Sequence, residues 1–300
     1  MSLLVTGSIG IDTIQAPAGV RPDVIGGSAV YFAFAASYFT PVRLVGVVGE
    51  DCPSELLNVF HGRPIDTAGL EVRKGSKTFR WHGKYHEDVN FRDTVKVDLG
   101  VLGERGPKVP AQFVDSQYVF LANSHPTLQK ELLLSLSAPQ LAVADTMDLW
   151  IDTTKSELLD LLKHVQGLVL NYEESKQLTG KTNLVAAARD VLKLGPKFCV
   201  IKKGEHGAML CTGDDIFVMP AFPAELVVDP TGAGDSFAGG MMGYLATQQN
   251  FTAATLKRAI ALGTVAASFT IEDFSLAGLA AATKQKIDQR LAELQSAMSF

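Results

Sequence analysis

The chain has 300 residues, enough for one large domain or two modest ones, and its 47% hydrophobic and 20% charged content is typical of a globular protein. The net charge is −5 and acidic and basic residues are interspersed, which argues against a surface for nucleic acid or for an anionic membrane. Three cysteines without metal or disulfide spacing, no basic leader and no bilayer-length apolar run predict a cytoplasmic protein.

The first predicted element is a buried strand that starts at Leu3 and ends at Asp12. Ligands of open α/β sheets collect at the C-terminal ends of strands, so Asp12 is a candidate ligand contact. Capping of the next turn explains Asp12 equally well. The pair Gly26-Gly27 then opens an apolar helix, which we expect to be buried, and residues 42–49 are the next strand.

Residues 71–97 are rich in aromatic and charged side chains. Alternation along residues 77–85 predicts a strand in which Phe79, Trp81 and Tyr85 share one face. Large side chains on one strand face are typical of a lid or of a subunit interface. His82 and His86 have no further ligands at metal spacing, and a metal site is not predicted there.

From residue 118 onward, strands and helices alternate along the chain. The predicted strands are residues 118–122, 140–144, 167–170 and 198–201, with a helix from Pro126 and another over residues 149–164. A hairpin around Gly213-Asp214-Asp215 and helices over residues 251–269 and 279–298 follow. This alternation predicts one doubly wound α/β domain with a mostly parallel sheet flanked by helices.

Two turns in this half carry polar or flexible residues where a strand ends. Asn171 and Glu174 follow an apolar strand and lie three residues apart, so they share a helix face. They fit a capping box, in which each side chain accepts a hydrogen bond from a backbone N–H group at the helix start. Gly204 and Gly207 form a tight turn after the strand that ends near Lys203.

The stretch from residue 229 to residue 240 reads DPTGAGDSFAGG, between an apolar run at 226–228 and a predicted helix. Small residues at a helix start let backbone N–H groups converge on an anion. Asp235 lies in the first helical turn, aimed at the same place. Such a turn next to a carboxylate base is what phosphoryl transfer to a hydroxyl requires, although Gly-x-Gly alone is also an ordinary tight turn.

Three motifs occur in a fixed order: Gly26-Gly27 with residues 45–51, Asn171-x-x-Glu174, and residues 229–240. Together they resemble the signatures of the ribokinase-like (PfkB) carbohydrate kinases. The resemblance implies a single ribokinase-like kinase domain over residues 1–300, with a small β lid contributed by about residues 13–25 and 71–97. Long-lidded members carry a hairpin between the positions of Asp12 and Gly26, which only about a dozen residues separate here, so we expect a reduced lid.

The resemblance also implies an ATP-dependent transfer to a hydroxyl of a small sugar or sugar-derived acceptor, with Mg²⁺. Asp235 is then the general base, and the backbone anion hole consists of Gly232, Ala233 and Gly234. The implied nucleotide contacts are Lys203, Gly204, Gly207, Thr231 and Gly263. The implied acceptor contacts are Asp12, Gly26, Gly27, Tyr31, Arg80 and Trp81. The implied metal contacts are Asn171 and Glu174 for Mg²⁺, partly through water, and Asp229 for a monovalent cation such as K⁺.

Two positions depart from the family pattern. Tyr31 stands where the family often has Asn, and residues 272–275 replace a Gly-Ala pair. The sequence also leaves two other functions open. A nucleoside (adenosine-like) kinase uses the same machinery, and a non-catalytic sugar or nucleotide sensor shares the fold. The expected partner is a small molecule, and a homodimer through the lid is the alternative use of its aromatic face.

Overall fold

The computed structural model describes residues 2–213 and 215–299. The strands are β1 (Leu3–Thr6), β2 (Gly10–Ala16), β3 (Gly19–Gly26), β4 (Val42–Gly49), β5 (Ile65–Arg73), β6 (Phe79–Tyr85), β7 (Arg92–Asp98), β8 (Tyr118–Leu121), β9 (Leu141–Asp145), β10 (Gly167–Asn171), β11 (Phe198–Lys202), β12 (Ala208–Thr212) and β13 (Ile216–Met219). The helices are α1 (Ser28–Ala36), α2 (Ser54–Leu57), α3 (Pro126–Leu134), α4 (Asp148–Thr153), α5 (Lys155–Leu162), α6 (Tyr172–Thr179), α7 (Leu184–Lys193), α8 (Ala233–Leu245), α9 (Ala253–Thr270), α10 (Ala277–Ala280) and α11 (Lys284–Ala297).

The larger sheet has the strand order β13-β12-β11-β10-β9-β8-β1-β4-β5. Its pairs are parallel from β5 to β11, and β12 and β13 extend it as an antiparallel hairpin. The strands are apolar and buried, as parallel strands covered on both faces must be. Helices α1, α8, α9 and α11 pack on one face, and α3 to α7 pack on the other. The predicted doubly wound α/β fold is confirmed.

A second sheet has the order β3-β2-β6-β7, and we call it the lid sheet. Its strands β2 and β6 are parallel, while β2–β3 and β6–β7 are antiparallel hairpins. The expectation of a reduced lid is wrong. Strands β2 and β3 pair from Gly10–Gly26 to Ala16–Gly19, so the short interval holds a complete hairpin with a two-residue turn.

The lid sheet also corrects the predicted first strand. The chain leaves the larger sheet after Thr6, at Gly7, where a Cβ would lie 2.7 Å from the Ala122 side chain. Asp12 therefore lies inside β2 of the lid and not at the end of the first strand. This placement turns Asp12 toward the space between the two sheets.

Other differences concern boundaries. Residues 226–228 form a loop and not a strand, because Leu226 is exposed and Val228 donates its N–H to the loop carbonyl of Ile271. The predicted helix over 149–164 breaks at Thr154, whose φ of −137° is not helical. The last predicted helix divides as well, because Thr283 caps a new helix with its side chain. The predicted hairpin strands are present as β12 and β13, and Asp214 lies outside the described residues.

The lid sheet closes over the C-terminal edge of the larger sheet, where Asp145, Asn171 and Lys202 end three successive strands. The Tyr85 hydroxyl of the lid lies 2.9 Å from the Thr231 hydroxyl, within hydrogen-bonding distance, next to the start of α8. Within the part of the chain described, no helix is both long and apolar enough to cross a membrane.

Candidate active site

The N-terminus of α8 forms the floor of the cleft between the two sheets. Gly232 precedes the helix with φ +76°, and a Cβ there would lie 2.3 Å from the Tyr31 ring, so only glycine fits. The N–H groups of Gly234 and Asp235 have no backbone acceptor within the described residues. The Ala233 N–H, by contrast, donates to the Pro230 carbonyl at 3.1 Å. Free helix-start N–H groups and the helix dipole favour an anion here.

Asp235 is half-buried in the first turn of α8. Burial and the negative charge of Asp145 raise its pKa to about 7, against the opposing charges of Lys202 and Arg92. A carboxylate with a pKa near neutral pH takes up a proton more readily than an ordinary aspartate. A carboxylate with a near-neutral pKa therefore lies beside a helix N-terminus that favours an anion.

Asp12 is the second carboxylate of the cleft. It is 3% exposed, and its Oδ1 has no hydrogen-bond partner within the described residues. Burial first, and then the charges of Asp229 and Asp235, raise its pKa to about 8. A buried, unpaired carboxyl oxygen costs stability, which indicates a ligand contact.

Two glycines make room for this carboxyl group. A Cβ on Gly26 would lie 1.8 Å from Asp12 Oδ2, so any side chain at this position would displace the acid. Gly27 has φ +101°, and a Cβ there would meet the Ser8 carbonyl oxygen at 2.4 Å. The glycine pair therefore fixes the backbone around Asp12.

Trp81 lies beside Asp12 on the inner face of the lid sheet, since the two residues are register partners on β6 and β2. Its ring lies over Gly83, whose Cβ would come within 1.9 Å of it, and the Arg92 guanidinium is 5.3 Å from the ring centroid. A flat aromatic surface and a free carboxyl group are thus adjacent.

Arg80 does not join this group. Strand alternation turns it to the opposite lid face from Trp81. There it pairs with Asp23 at 3.0 Å and lies 3.8 Å from Asp51. The structure therefore places Arg80 in an ion pair on the outer face, away from Asp12.

A cavity of about 380 Å³ adjoins the start of α8. Its wall includes Gly204, Gly207, Ala233, Gly234 and Lys202, together with apolar residues such as Phe222 and Val227 and the lid-tip residues Val89 and Asn90. A wall that combines polar groups with apolar side chains suits a nucleotide. Three of the implied nucleotide contacts lie elsewhere. Lys203 and Thr231 are off this wall, and Gly263 packs on the Phe237 carbonyl between α9 and α8.

Asn171 and Glu174 form a reciprocal capping box at the start of α6. Asn171 Oδ1 accepts from the Glu174 N–H at 2.8 Å, and Glu174 Oε2 accepts from the Asn171 N–H at 2.6 Å. Burial and the nearby Asp145 raise the Glu174 pKa to about 7, although Lys202 acts against them. No cluster of three acidic, histidine or cysteine ligands occurs among the described residues. Carboxylate and amide oxygens are ligands that Mg²⁺ accepts, and Mg²⁺ held by few protein groups keeps waters and phosphate oxygens as its other ligands.

Asp229 is fully buried and already has donors for both oxygens. Its Oδ1 accepts from the Thr231 N–H at 2.9 Å and its Oδ2 from the Ser275 N–H at 3.1 Å. Ser275 itself has φ 54° and donates its hydroxyl to the Ile25 carbonyl. The Asp229 carboxylate thus links residues 272–275, which replace the Gly-Ala pair, to the start of the motif at residues 229–240.

Three charged residues of the cleft are missing from the sequence analysis: Asp145, Lys202 and Arg92. Lys202 Nζ lies 3.7 Å from Asp145 Oδ2, and both side chains are largely buried. Alternation along β11 is a sequence signal for a buried lysine, because Lys202 lies on the same strand face as the core residues Phe198 and Val200. Asp145 gave a weaker one, as the acid that follows an apolar strand.

The cleft and the fold define a phosphate-binding α/β enzyme with a lid. The profile of the pfkB family of carbohydrate kinases matches residues 23–281. A cytidine kinase of Thermococcus kodakarensis is 32% identical over 256 residues, which are 81% of this chain and 88% of that protein. The chain therefore belongs to the pfkB family of carbohydrate kinases, and it is an ATP-dependent kinase.

Two solved structures share the fold across nearly the whole chain. The nucleoside kinase of Methanocaldococcus jannaschii has a TM-score of 0.78 at 19% identity and covers 97% of this chain and 98% of its own. An Escherichia coli protein solved in complex with ATP and Mg²⁺ also has a TM-score of 0.78, at 18% identity, with 97% and 99% covered.

Proposed function

We propose that this kinase phosphorylates a hydroxyl of a nucleoside. The observation that carries the proposal is the pairing of Asp12 with Trp81 on the inner face of the lid. The unpartnered carboxyl oxygen suits the hydroxyl groups of a ribose, and the adjacent indole suits a stacked base. The 32% identical cytidine kinase supports the same acceptor class.

In the proposed reaction the acceptor lies between Asp12 and the start of α8, and ATP fills the adjoining cavity. Asp235 takes the proton of the acceptor hydroxyl as the oxygen of that hydroxyl attacks the γ-phosphorus. The free N–H groups of Gly234 and Asp235 hold the transferring phosphoryl group at the end of the helix dipole. The closed lid sheet keeps water away from the same phosphorus.

Mg²⁺ is part of the proposal because the donors present fit it. Asn171 and Glu174 would hold the ion, largely through water, and the ion would offset charge on the phosphate oxygens. A K⁺ ion at Asp229 has weaker support, since both carboxylate oxygens already accept backbone N–H groups. We propose the cytoplasm as the compartment, because ATP and free cysteines belong there.

One observation favours a second acceptor class. The Arg92 guanidinium lies 5.3 Å from the centroid of the Trp81 ring, and its charge acts on both Asp12 and Asp235. A sugar acid would pair its carboxylate with this guanidinium.

A panel of acceptors with MgATP separates these classes. We expect cytidine and other nucleosides to give kcat/KM values well above those of ribose, of other sugars and of sugar acids. A sugar acid as the best acceptor would replace the nucleoside assignment with the second class. Phosphate release without any acceptor dependence would contradict an acceptor kinase altogether.

We also propose that the lid serves as a homodimer interface through its edge strand β7. Every residue of the edge strand β7 is exposed, and Val95 and Val97 are apolar. Edge strands with exposed apolar side chains tend to pair with another sheet.

A further inference from the structure

Lys202 is the last residue of β11, and its side chain ends in the wall of the nucleotide cavity. A methyl carbon placed on Gly234 would lie 2.9 Å from Lys202 Nζ. The ammonium group is thus directly against the first turn of α8, where the N–H groups of Gly234 and Asp235 are free.

The ammonium group has unused hydrogen-bonding capacity. Among the described residues its ion pair is with Asp145, at 3.7 Å, and that separation is too long for a hydrogen bond. An ammonium carries three N–H donors. These donors are therefore available to an oxygen that enters the cavity.

Lys202 faces more acidic side chains than the one with which it forms an ion pair. The charges of Asp145, Glu174 and Asp235 all act on this one lysine. A nucleotide triphosphate adds further negative charge beside the α8 N-terminus. A cation at this point is most useful to the group that gains charge during transfer.

We infer that Lys202 is a catalytic residue whose ammonium group contacts the γ-phosphoryl oxygens of ATP during transfer, and that Asp145 is the residue that positions it. This inference rests on the proposed kinase reaction. The bond between the acceptor oxygen and the γ-phosphorus forms, and the bond from that phosphorus to the β–γ bridging oxygen breaks. The acceptor proton passes to Asp235, and ADP leaves with the bonding electron pair.

The test compares Lys202→Met, Asp145→Asn and the double variant Lys202→Met/Asp145→Asn. Lys202→Met keeps the length and the apolar stem but leaves Asp145 buried without a counter-charge, which by itself threatens the fold. The double variant removes both charges and restores the balance. We expect it to keep the wild-type melting temperature within a few degrees and to show kcat lowered roughly 10²–10³-fold, with acceptor KM little changed.

A purely structural lysine predicts the opposite. If Lys202 only neutralises Asp145, the double variant regains kcat within about threefold of wild type, and the inference is wrong. The matched control is Lys257→Met, which removes another lysine paired with an aspartate, Asp215 at 2.7 Å, outside the cavity wall. We expect wild-type kcat from this control.

Nucleotide binding measured without acceptor tests the contact independently of the acceptor assignment. By calorimetry with Mg²⁺ present, the double variant should bind ATP about 10–100-fold more weakly than wild type does, the loss of a hydrogen bond to a charged group. Its affinity for AMP, which lacks the γ-phosphate, should not change. Equal affinities of wild type and double variant for ATP would overturn the inference. A wild-type protein that binds ATP but phosphorylates no nucleoside would instead refute the proposed function.

Discussion

At the scale of single residues, the cleft depends on carboxyl groups whose pKa values are displaced upward by burial and by one another. Asp235 has a pKa of about 7 and Asp12 of about 8. Each buried carboxyl group lowers the stability of the free protein, and each gains a hydrogen-bond partner when a ligand binds.

The pKa of Asp235 predicts the pH dependence of the reaction. The base acts only when deprotonated, so kcat/KM should rise about tenfold per pH unit below pH 7 and level off above it. Asp235→Asn keeps the shape and cannot accept the proton, and we expect kcat to fall roughly 10²–10⁴-fold. Steady-state rates between pH 5.5 and 9 check both statements. Near-normal turnover by a folded Asp235→Asn protein would remove Asp235 from the mechanism.

Glu174 offers a test of the metal proposal that leaves the capping box in place. Glutamine caps a helix as glutamate does, so Glu174→Gln keeps the hydrogen bond from the Asn171 N–H and removes the charge. A hard cation prefers anionic oxygen, and we expect the Mg²⁺ concentration for half-maximal rate to rise several-fold. A Mg²⁺ titration of the rates of wild type and Glu174→Gln tests this expectation, and a comparison of their melting temperatures checks that the capping box is kept. An unchanged titration would leave the pair with the capping role alone.

The sequence predicted the site residues that are contiguous in the chain better than those that only the fold brings together. The glycines and Asp235 are contiguous, and their helix-start chemistry follows from a few neighbouring letters. Lys202 and Asp145 meet only because β9 and β11 flank β10 in the sheet. The local sequence marks each residue separately but does not indicate that the two residues meet, so the contact could not be predicted.

At the scale of elements, the lid sheet is the part that the sequence described least well. The alternation along β6 correctly put Trp81 and Tyr85 on one face. The β2–β3 hairpin was missed because the interval between Asp12 and Gly26 is short, yet a two-residue turn lets both strands fit within it. The resemblance implied Arg80 as an acceptor contact, while strand alternation turns its side chain to the other face of the lid.

Trp81 distinguishes lid closure from dimerisation. Under closure, Trp81→Ala should raise the acceptor KM about tenfold or more through the lost stacking surface and should increase ATP hydrolysis without acceptor. Its molecular mass in light scattering should not change. In a Trp150→Phe background, where Trp81 is the remaining tryptophan, acceptor binding should change the fluorescence.

The matched variant for the dimer is Val95→Asp, which places a charge on the exposed edge strand β7. It should lower the mass if the lid joins two subunits. A lower mass for Trp81→Ala with an unchanged acceptor KM would contradict closure and favour the dimer.

At the scale of the whole molecule, the free energy of unfolding should depend on pH through Asp12. The folded-state pKa of about 8 lies above the ordinary value of 3.8, so the folded protein holds a proton that the unfolded chain releases. The unfolded state binds fewer protons in this range, and stability therefore falls as pH rises from about 4 to about 8.

Asp12→Asn removes the contribution of Asp12 to this dependence, while those of Asp235 and Glu174 remain. At pH 8 we expect the variant to be more stable than wild type by roughly 1–3 kcal/mol, because the amide carries no charge that burial destabilises. The difference should shrink toward pH 4, and the variant should lose acceptor binding. Urea unfolding at both pH values measures it, with the exposed Asp152→Asn as control. Equal stability of wild type and Asp12→Asn at pH 8 would show that the carboxyl group has a partner.

The lid sheet is assembled from two pieces of chain that the core separates. Strands β2 and β6 lie side by side, yet α1, β4, α2 and β5 come between them in sequence. Recombination between two relatives with a single crossover anywhere from residue 27 to residue 78 therefore unites half of one parent's lid with half of the other's. Acceptor preference should pass between such parents only when both pieces are exchanged together, since neither half carries the Asp12–Trp81 pairing alone.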